Sequence, residues 1–309
     1  MRARRVLAAW KLCLALLGGP MLGGLGALPA AATPPRFDGG RALVITHELC
    51  DFGPRVPGTK AHAAARDFLA GRLAKLCDQS GREDFVGGPP SYPQGTALSN
   101  LVGRFRPGVQ PRVLLSAHWD SRPHADADPD STRRRQPVLG ANDAASACAV
   151  LLHLAELLHQ SPPPVGVDLV FFDGEDGGIP SQPETYCLGS AEHVRRLGTS
   201  LPAYVINLDM VGGRNLLLPI EGYSQARAPE IVELVWGRAE VLGHDQFVRE
   251  AGTAVFDDHL PFLRAGIPAI DVIDFSYPEW HTTYDTPDRL SAASLQAVGE
   301  VMVSVIYEP

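Results

Sequence analysis

Four short stretches of the chain, Val113–Ala117, Asp168–Phe172, Ala203–Leu208 and Pro268–Ile273, are almost continuously apolar and rich in β-branched residues. A strand with no polar side must be covered on both faces, which is the situation of a central strand in an α/β protein. Between these stretches lie segments of helical periodicity at 143–159, 189–197, 227–242 and 258–264, and residues 291–306 close the chain. A further helix is expected over 59–78, TKAHAAARDFLAGRLAKLCD, after the Pro-rich entry GPRVPG. Strands alternating with helices predict an α/β fold, helices layered on a mostly parallel sheet. Residues 121–139 and 174–188 lack periodicity, are polar, and each follows a strand end, where such folds place their sites. No linker divides the body, so 33–309 reads as one catalytic domain.

Composition narrows the class. With 45% hydrophobic and 20% charged residues the chain has the balance of a globular enzyme. Its 31 Gly and 27 Pro are scattered without a period, which excludes collagen-like and repeat architectures. Residues 1–32 read as an export signal: a basic start, MRARR, an apolar run from Leu12 to Leu28, and small residues at Ala30–Ala32. The alternative is an uncleaved membrane anchor, against which five Gly and two Pro within Leu12–Ala32 argue. The chain is therefore expected to be periplasmic or secreted, with no membrane contact by the mature domain. Beyond residue 32, 23 basic residues face 35 acidic ones, a net charge of -12 that offers no footprint for nucleic acid. Of the cysteines left, Cys50, Cys77, Cys148 and Cys187, the first two bracket the 59–78 helix and are the expected disulfide pair. Cys148 reads as a buried small hydrophobe.

Polar residues crowd the C-terminal ends of the apolar stretches. VLLSAHWD ends on His118 and Asp120, and VLGANDAAS sets Asp143 at the mouth of a helix. DLVFFDGED ends on Asp173, Glu175 and Asp176, and YVINLDMVGG on Asp209. FDDHLPFL carries Asp257, Asp258 and His259, and YPEWHTTYD carries His281 and Asp285. Singly each has an ordinary explanation: Asp143 as a helix N-cap, Asp209 as a turn residue, His259 as a hydrogen-bonded structural histidine. Asp126, Asp128 and Asp130 lack the Gly and terminal Glu of a calcium loop and read as a solvated acidic loop. Together, carboxylates and histidines converging at one sheet end would repel and be poorly solvated unless a cation compensated them. Imidazole plus carboxylate without thiolate suits catalytic zinc.

These residues resemble the co-catalytic zinc aminopeptidases and, within them, the glutaminyl-peptide cyclotransferases, over nearly the whole chain beyond the signal. The family elements are His118-Trp119-Asp120, the GAND run ending in Asp143, Glu175-Asp176, Asp209 in LDMVG, and WHTTYDT around His281. More selective for the cyclases are Pro54-Arg55-Val56-Pro57-Gly58, Leu98–Val102, the run Asp257–Arg264 with Gly266-Ile267-Pro268, Trp280, and Cys148-Ala149. The resemblance implies a three-layer α/β/α fold with a central, mostly parallel mixed sheet. It implies one zinc on Asp143, Asp176 and His281, with a possible second metal at His118 and Asp209. Glu175 would shuttle the proton, assisted by Asp209 and by Asp257 or Asp258, and Trp280 would wall the pocket. Tyr186 stands where bacterial-type cyclases have a pocket-lining Trp. Asp176 matches bacterial-type cyclases rather than animal ones, and Ala117 replaces a cysteine of the animal enzymes. The implied reaction converts an N-terminal glutamine of peptides or proteins to pyroglutamate with release of ammonia, by a monomer. The rival is an aminopeptidase using Glu175 to activate water. A non-catalytic, receptor-like ectodomain would show a degraded metal set, and none of this set is degraded.

Overall fold

The computed structural model describes residues 34–89, 91–199 and 201–308; the expected export signal at 1–32 lies outside them. Eight strands occur in the described chain. They are β1 (Gln79–Gly87), β2 (Thr96–Phe105), β3 (Arg112–His118), β4 (Gly166–Phe172), β5 (Tyr204–Asp209), β6 (Leu218–Ile220), β7 (Phe247–Ala251) and β8 (Ala269–Ile273). Six form one sheet in the order β1-β2-β4-β3-β5-β8; β6 and β7 pair separately. The four stretches that are apolar in sequence become β3, β4, β5 and β8, mutually parallel, while β1 and β2 add antiparallel at one edge. The sheet is thus mixed and mostly parallel.

The helices are α1 (Gly39–Cys50), α2 (Lys60–Leu76), α3 (Ala147–Gln160), α4 (Leu188–Arg196), α5 (Gly222–Arg227), α6 (Pro229–Leu242), α7 (His259–Arg264) and α8 (Ala292–Tyr307). Strand side chains alternate between faces. Val113, Leu115 and Ala117 of β3, with Leu169 and Phe171 of β4, enter the larger core formed with α1, α2, α3, α6 and α8. Leu114, Val170 and Val205 enter the smaller core with Leu260, Phe262 and Leu263 of α7, against which Val194 of α4 packs. Burial on both faces explains why these strands lack the polar alternation of a surface sheet.

Three departures from the sequence reading have local causes. The helix expected from residue 143 starts only at Ala147, because residues 141–146 form a kinked turn with Asp143 at φ -105°, ψ 85° and a cis peptide to Ala144. The helix expected over 227–242 is broken at Ala228, with Pro229 opening α6. Cys50 and Cys77 do not form the expected disulfide; both are free thiols. Cys50 is the last residue of α1, and Cys77 directly follows α2. Cys50 is buried in the core beside Arg55, whereas Cys77 caps α2 with its Sγ against Gly103 of β2, so each thiol faces a different set of neighbours. Burial pushes the two thiols up to about 11 and about 12.

Candidate active site

Parallel pairing brings the C-terminal ends of β3, β4, β5 and β8 to one side of the sheet. His118 and Asp209 are the last residues of β3 and β5, Glu175-Asp176 follow β4, and the chain after β8 carries Trp280 and His281. Asp143 sits in the kinked turn before α3 and lies between two groups. His118 Nε2 is 2.9 Å from Asp143 Oδ1 and 3.4 Å from Asp209 Oδ1. On the other side, His281 Nε2 is 3.7 Å from Asp143 Oδ2 and 3.2 Å from Asp176 Oδ1. In each triad, His118–Asp143–Asp209 and Asp143–Asp176–His281, potential ligand atoms all lie within 4.8 Å of one another.

Buried groups hold these ligands in place. Asp120 accepts the backbone N–H groups of Glu175 at 3.1 Å and Asp176 at 3.2 Å, so its carboxylate fixes the turn that displays both side chains. Asp285 does the same for the other loop, accepting from Asn142 N–H at 2.8 Å and Asp143 N–H at 3.2 Å. Arg55 of the PRVPG run is buried and donates to the carbonyls of Trp119, Leu139 and Gly140 at 2.7–2.9 Å, binding the two loops together beneath the site. Gly140 has φ 69°, and a Cβ there would run into the Asp143 carbonyl, so the turn requires glycine.

Electrostatics identifies what the site lacks. Both ring nitrogens of His118, Asp176 Oδ2 and Asp209 Oδ1 are buried and make no protein hydrogen bond. Buried polar atoms in this state are costly unless a ligand satisfies them. Burial, then the charge of Asp143, raises Asp209 to about 7, and burial raises Glu175 well above the carboxylate range with help from Asp176, Asp257 and Asp258. Burial opposes charge on His281, but Asp176 and Asp126 lift it to about 9. Separations of 3.2 and 3.7 Å bracket the ~3.3 Å edge of a tetrahedron with ligands about 2.0–2.1 Å from a zinc ion. The donor set therefore fits a divalent metal.

The triads open on a cavity of about 260 Å³. Asp143, Glu175, Asp176, Asp209, Asp257 and His281 line its polar side, and Pro180, Pro183, Tyr186, Phe256, Phe275 and Trp280 are among its apolar walls. Trp280 stacks on His281 with ring centroids 3.8 Å apart. Of the adjacent acids, Asp257 faces the cavity, while Asp258 does not line it and accepts from Ser190 Oγ of α4. His118 lies beneath the cavity rather than on its wall. Several contributors carry no signal in sequence. Asn207 of β5 donates to Asp257 and Asp271 at 3.1 Å each, and Cys187 Sγ lies 3.7 Å from Glu175 Oε1. The reading of Asp126, Asp128 and Asp130 as a solvated acidic loop holds for the exposure of Asp126 and Asp130 but not for Asp128, and Asp126 has partners as well. Asp128 is buried and accepts from Thr283, and Asp126 meets His281 Nδ1 at 3.4 Å.

A three-layer α/β/α domain with a buried His–carboxylate group at its strand ends is a zinc-exopeptidase-like fold. The model of peptidase family M28 matches residues 100–306, and the chain belongs to that family. It is 37% identical to a glutaminyl cyclase of Bacteroides thetaiotaomicron solved with N-acetylhistamine, with a TM-score of 0.86, covering 90% of this chain and 100% of that one. A structure described as a leucine aminopeptidase precursor from the same organism is 38% identical at a TM-score of 0.86, covering 90% and 99%. Among curated relatives, the glutaminyl-peptide cyclotransferase of Bos taurus is 25% identical over 82% of this chain and 78% of its own length. The chain is thus an M28 enzyme, a glutaminyl cyclase or an aminopeptidase.

Proposed function

We propose that the protein is a glutaminyl-peptide cyclotransferase, closing N-terminal glutamine of peptides to pyroglutamate. The observation carrying this reading is the cavity itself. Glu175, an acid that burial disposes to hold a proton, shares about 260 Å³ with the Asp143–Asp176–His281 group and a wall formed by Trp280. That space accommodates one side chain curled on itself. Asp143, Asp176 and His281 would hold zinc, which when bound supplies Lewis-acid polarisation of the side-chain amide carbonyl. Glu175 takes a proton from the α-amine as its nitrogen bonds to the amide carbon, and delivers it to the departing nitrogen, which leaves as ammonia. Asp257, fixed by Asn207, lies in the same network as Asp209, so that proton belongs to coupled acids rather than to one residue. Trp280, Phe275 and Tyr186 restrict the substrate to few rotamers and exclude water, which favours ring closure over hydrolysis.

The second triad, His118–Asp143–Asp209, is the observation that favours the aminopeptidase reading, because it offers a place for a second metal. Against it, His118 does not line the cavity that Glu175, Asp176 and His281 share. The products distinguish the readings. Mass spectrometry of a glutaminyl peptide after incubation is expected to show loss of one ammonia at unchanged residue count. Free glutamine and a shortened peptide, or turnover of leucyl but not glutaminyl substrates, would establish the aminopeptidase instead.

A further inference from the structure

The guanidinium of Arg122 is buried and fully committed. Nε and Nη2 grip Asp126 through both carboxylate oxygens, at 2.9 and 2.6 Å. Nη1 donates to the carbonyl and to Oδ1 of Asp176, at 2.9 and 3.1 Å, and Nη2 reaches Tyr186 OH at 3.4 Å. Asp126 Oδ1 in turn stands 3.4 Å from His281 Nδ1, and Asp176 Oδ1 stands 3.2 Å from His281 Nε2. Arg122, Asp126, His281 and Asp176 therefore close a ring, two of whose four members belong to the metal triad. The loop is clasped to the same segment by its backbone: Ala127 N–H donates to the His281 carbonyl at 3.1 Å, and Thr283 N–H donates to Asp128 at 2.9 Å. His281 has a left-handed backbone, φ 55°, which a non-glycine residue holds only where its surroundings enforce it.

We propose that Arg122, acting through Asp126, is the positioning residue that presents Asp176 and His281 to the metal. The inference rests on the reading of Asp143, Asp176 and His281 as the metal group. By donating to Asp176 Oδ1, the atom that faces His281 Nε2, Arg122 sets the orientation of that carboxylate, and Oδ2 is left with no hydrogen-bond partner. With its Oδ1 3.4 Å from His281 Nδ1, Asp126 favours the proton on that nitrogen and so the tautomer that keeps a lone pair on Nε2. A lysine in place of Arg122 retains the charge but not the fork that grips two carboxylates at once. The same guanidinium lies 5.8 Å from the centre of the Tyr186 ring, so it also ties the metal loop to the cavity wall.

Full-length Arg122→Lys and Asp126→Asn proteins, stripped of metal, are titrated with zinc against a chromogenic chelator, and separately with Co²⁺ while visible absorption is recorded. Both are expected to bind zinc about 10–100-fold more weakly than wild type, as lost partners of metal ligands typically do, and to give an altered Co²⁺ spectrum. Asp130→Asn, exposed in the same loop, is expected to behave as wild type in both measurements. Wild-type affinity and spectrum in Arg122→Lys and Asp126→Asn would overturn the proposal. Should the lysine variant fail to fold, Asp126→Asn decides alone, since Asp126 is exposed enough to take an amide. If wild type itself binds no zinc, the metal reading fails; if only the variants match wild type, that reading stands and the clamp falls.

Discussion

Glu175 and its surroundings show how the environment of one side chain sets its chemistry. Its backbone is pinned by Asp120, and its carboxyl faces Cys187 and the cavity rather than a cationic partner. Burial and the neighbouring Asp176, Asp257 and Asp258 favour the protonated form. A carboxyl raised in this way is, when ionised, a stronger base than a solvated one, and it can hold the transferred proton until it is returned. Glu175 belongs to neither His-containing triad, so Glu175→Gln is expected to keep its zinc. Its turnover of glutaminyl peptide should fall by about 10²–10⁴, the usual contribution of a general acid–base group. Metal analysis and steady-state kinetics on the same preparation check both halves; loss of metal together with activity would make Glu175 a ligand instead. Glu175 and Asp176 are legible in sequence because they follow an unmistakable apolar strand, β4. The facing of adjacent acids is not. Asp257 and Asp258 are neighbours before α7, and only the docking of α4, through Ser190, turns Asp258 away.

At the scale of elements, the loop carrying Glu175 depends on how closely α4 approaches the end of β4. Gly189, in the first turn of α4, makes that approach possible. A Cβ there would stand 2.5 Å from Asn100 Oδ1 and 2.6 Å from the backbone N and O of Asp173. Backbone cannot yield as a side-chain tip can. Gly189→Ala is therefore expected to destabilise the protein by about 1–3 kcal/mol in urea denaturation. Gly71→Ala, mid-α2 with nothing within 4 Å, should instead stabilise it by roughly 0.5–1 kcal/mol. Equal effects at the two glycines would show that α4 is not packed as described. The same elements explain which parts of the fold could be read in advance. The central strands are legible because burial on both faces leaves one composition. β1 is not, because QSGREDFVG is an edge strand largely exposed along its length. Nor is α1, which opens on two poor helix formers, Gly39 and Gly40, and whose cap, Asp38 accepting from Arg41 N–H, shows only in the structure. The 121–139 loop has no period at all, so the pairing of Asp126 with His281 depends on tertiary structure alone.

For the molecule as a whole, so many buried acids at one sheet end make stability depend on pH and metal together. Burial, followed by the charge of Asp143, raises Asp285 to about 7, as it does Asp209. An acid whose folded pKa exceeds its unfolded value of about 4 keeps its proton longer when folded, so stability falls as pH rises from about 4 to 7. His281, raised to about 9 by Asp176 and Asp126 against burial, adds stability that is full below its unfolded pKa near 6.5 and lost as pH climbs to about 9. Both slopes have the same sign. Glu221, held at about 2 against burial by His259, and Asp126, held below the usual range against burial by Arg122, have contributed fully by about pH 5 and do not oppose them. Metal-free protein should accordingly melt at a lower temperature at about pH 8 than at about pH 5. Zinc acts in the opposite direction. Its ligands must be deprotonated, so the rise in melting temperature on adding zinc should be small at the acidic end and large at the alkaline end. Thermal melts of chelator-treated and zinc-loaded protein across this range check the argument. A metal-free profile that rises toward pH 8, or a zinc increment independent of pH, would mean that the carboxylates at the strand ends are not held together as one uncompensated cluster.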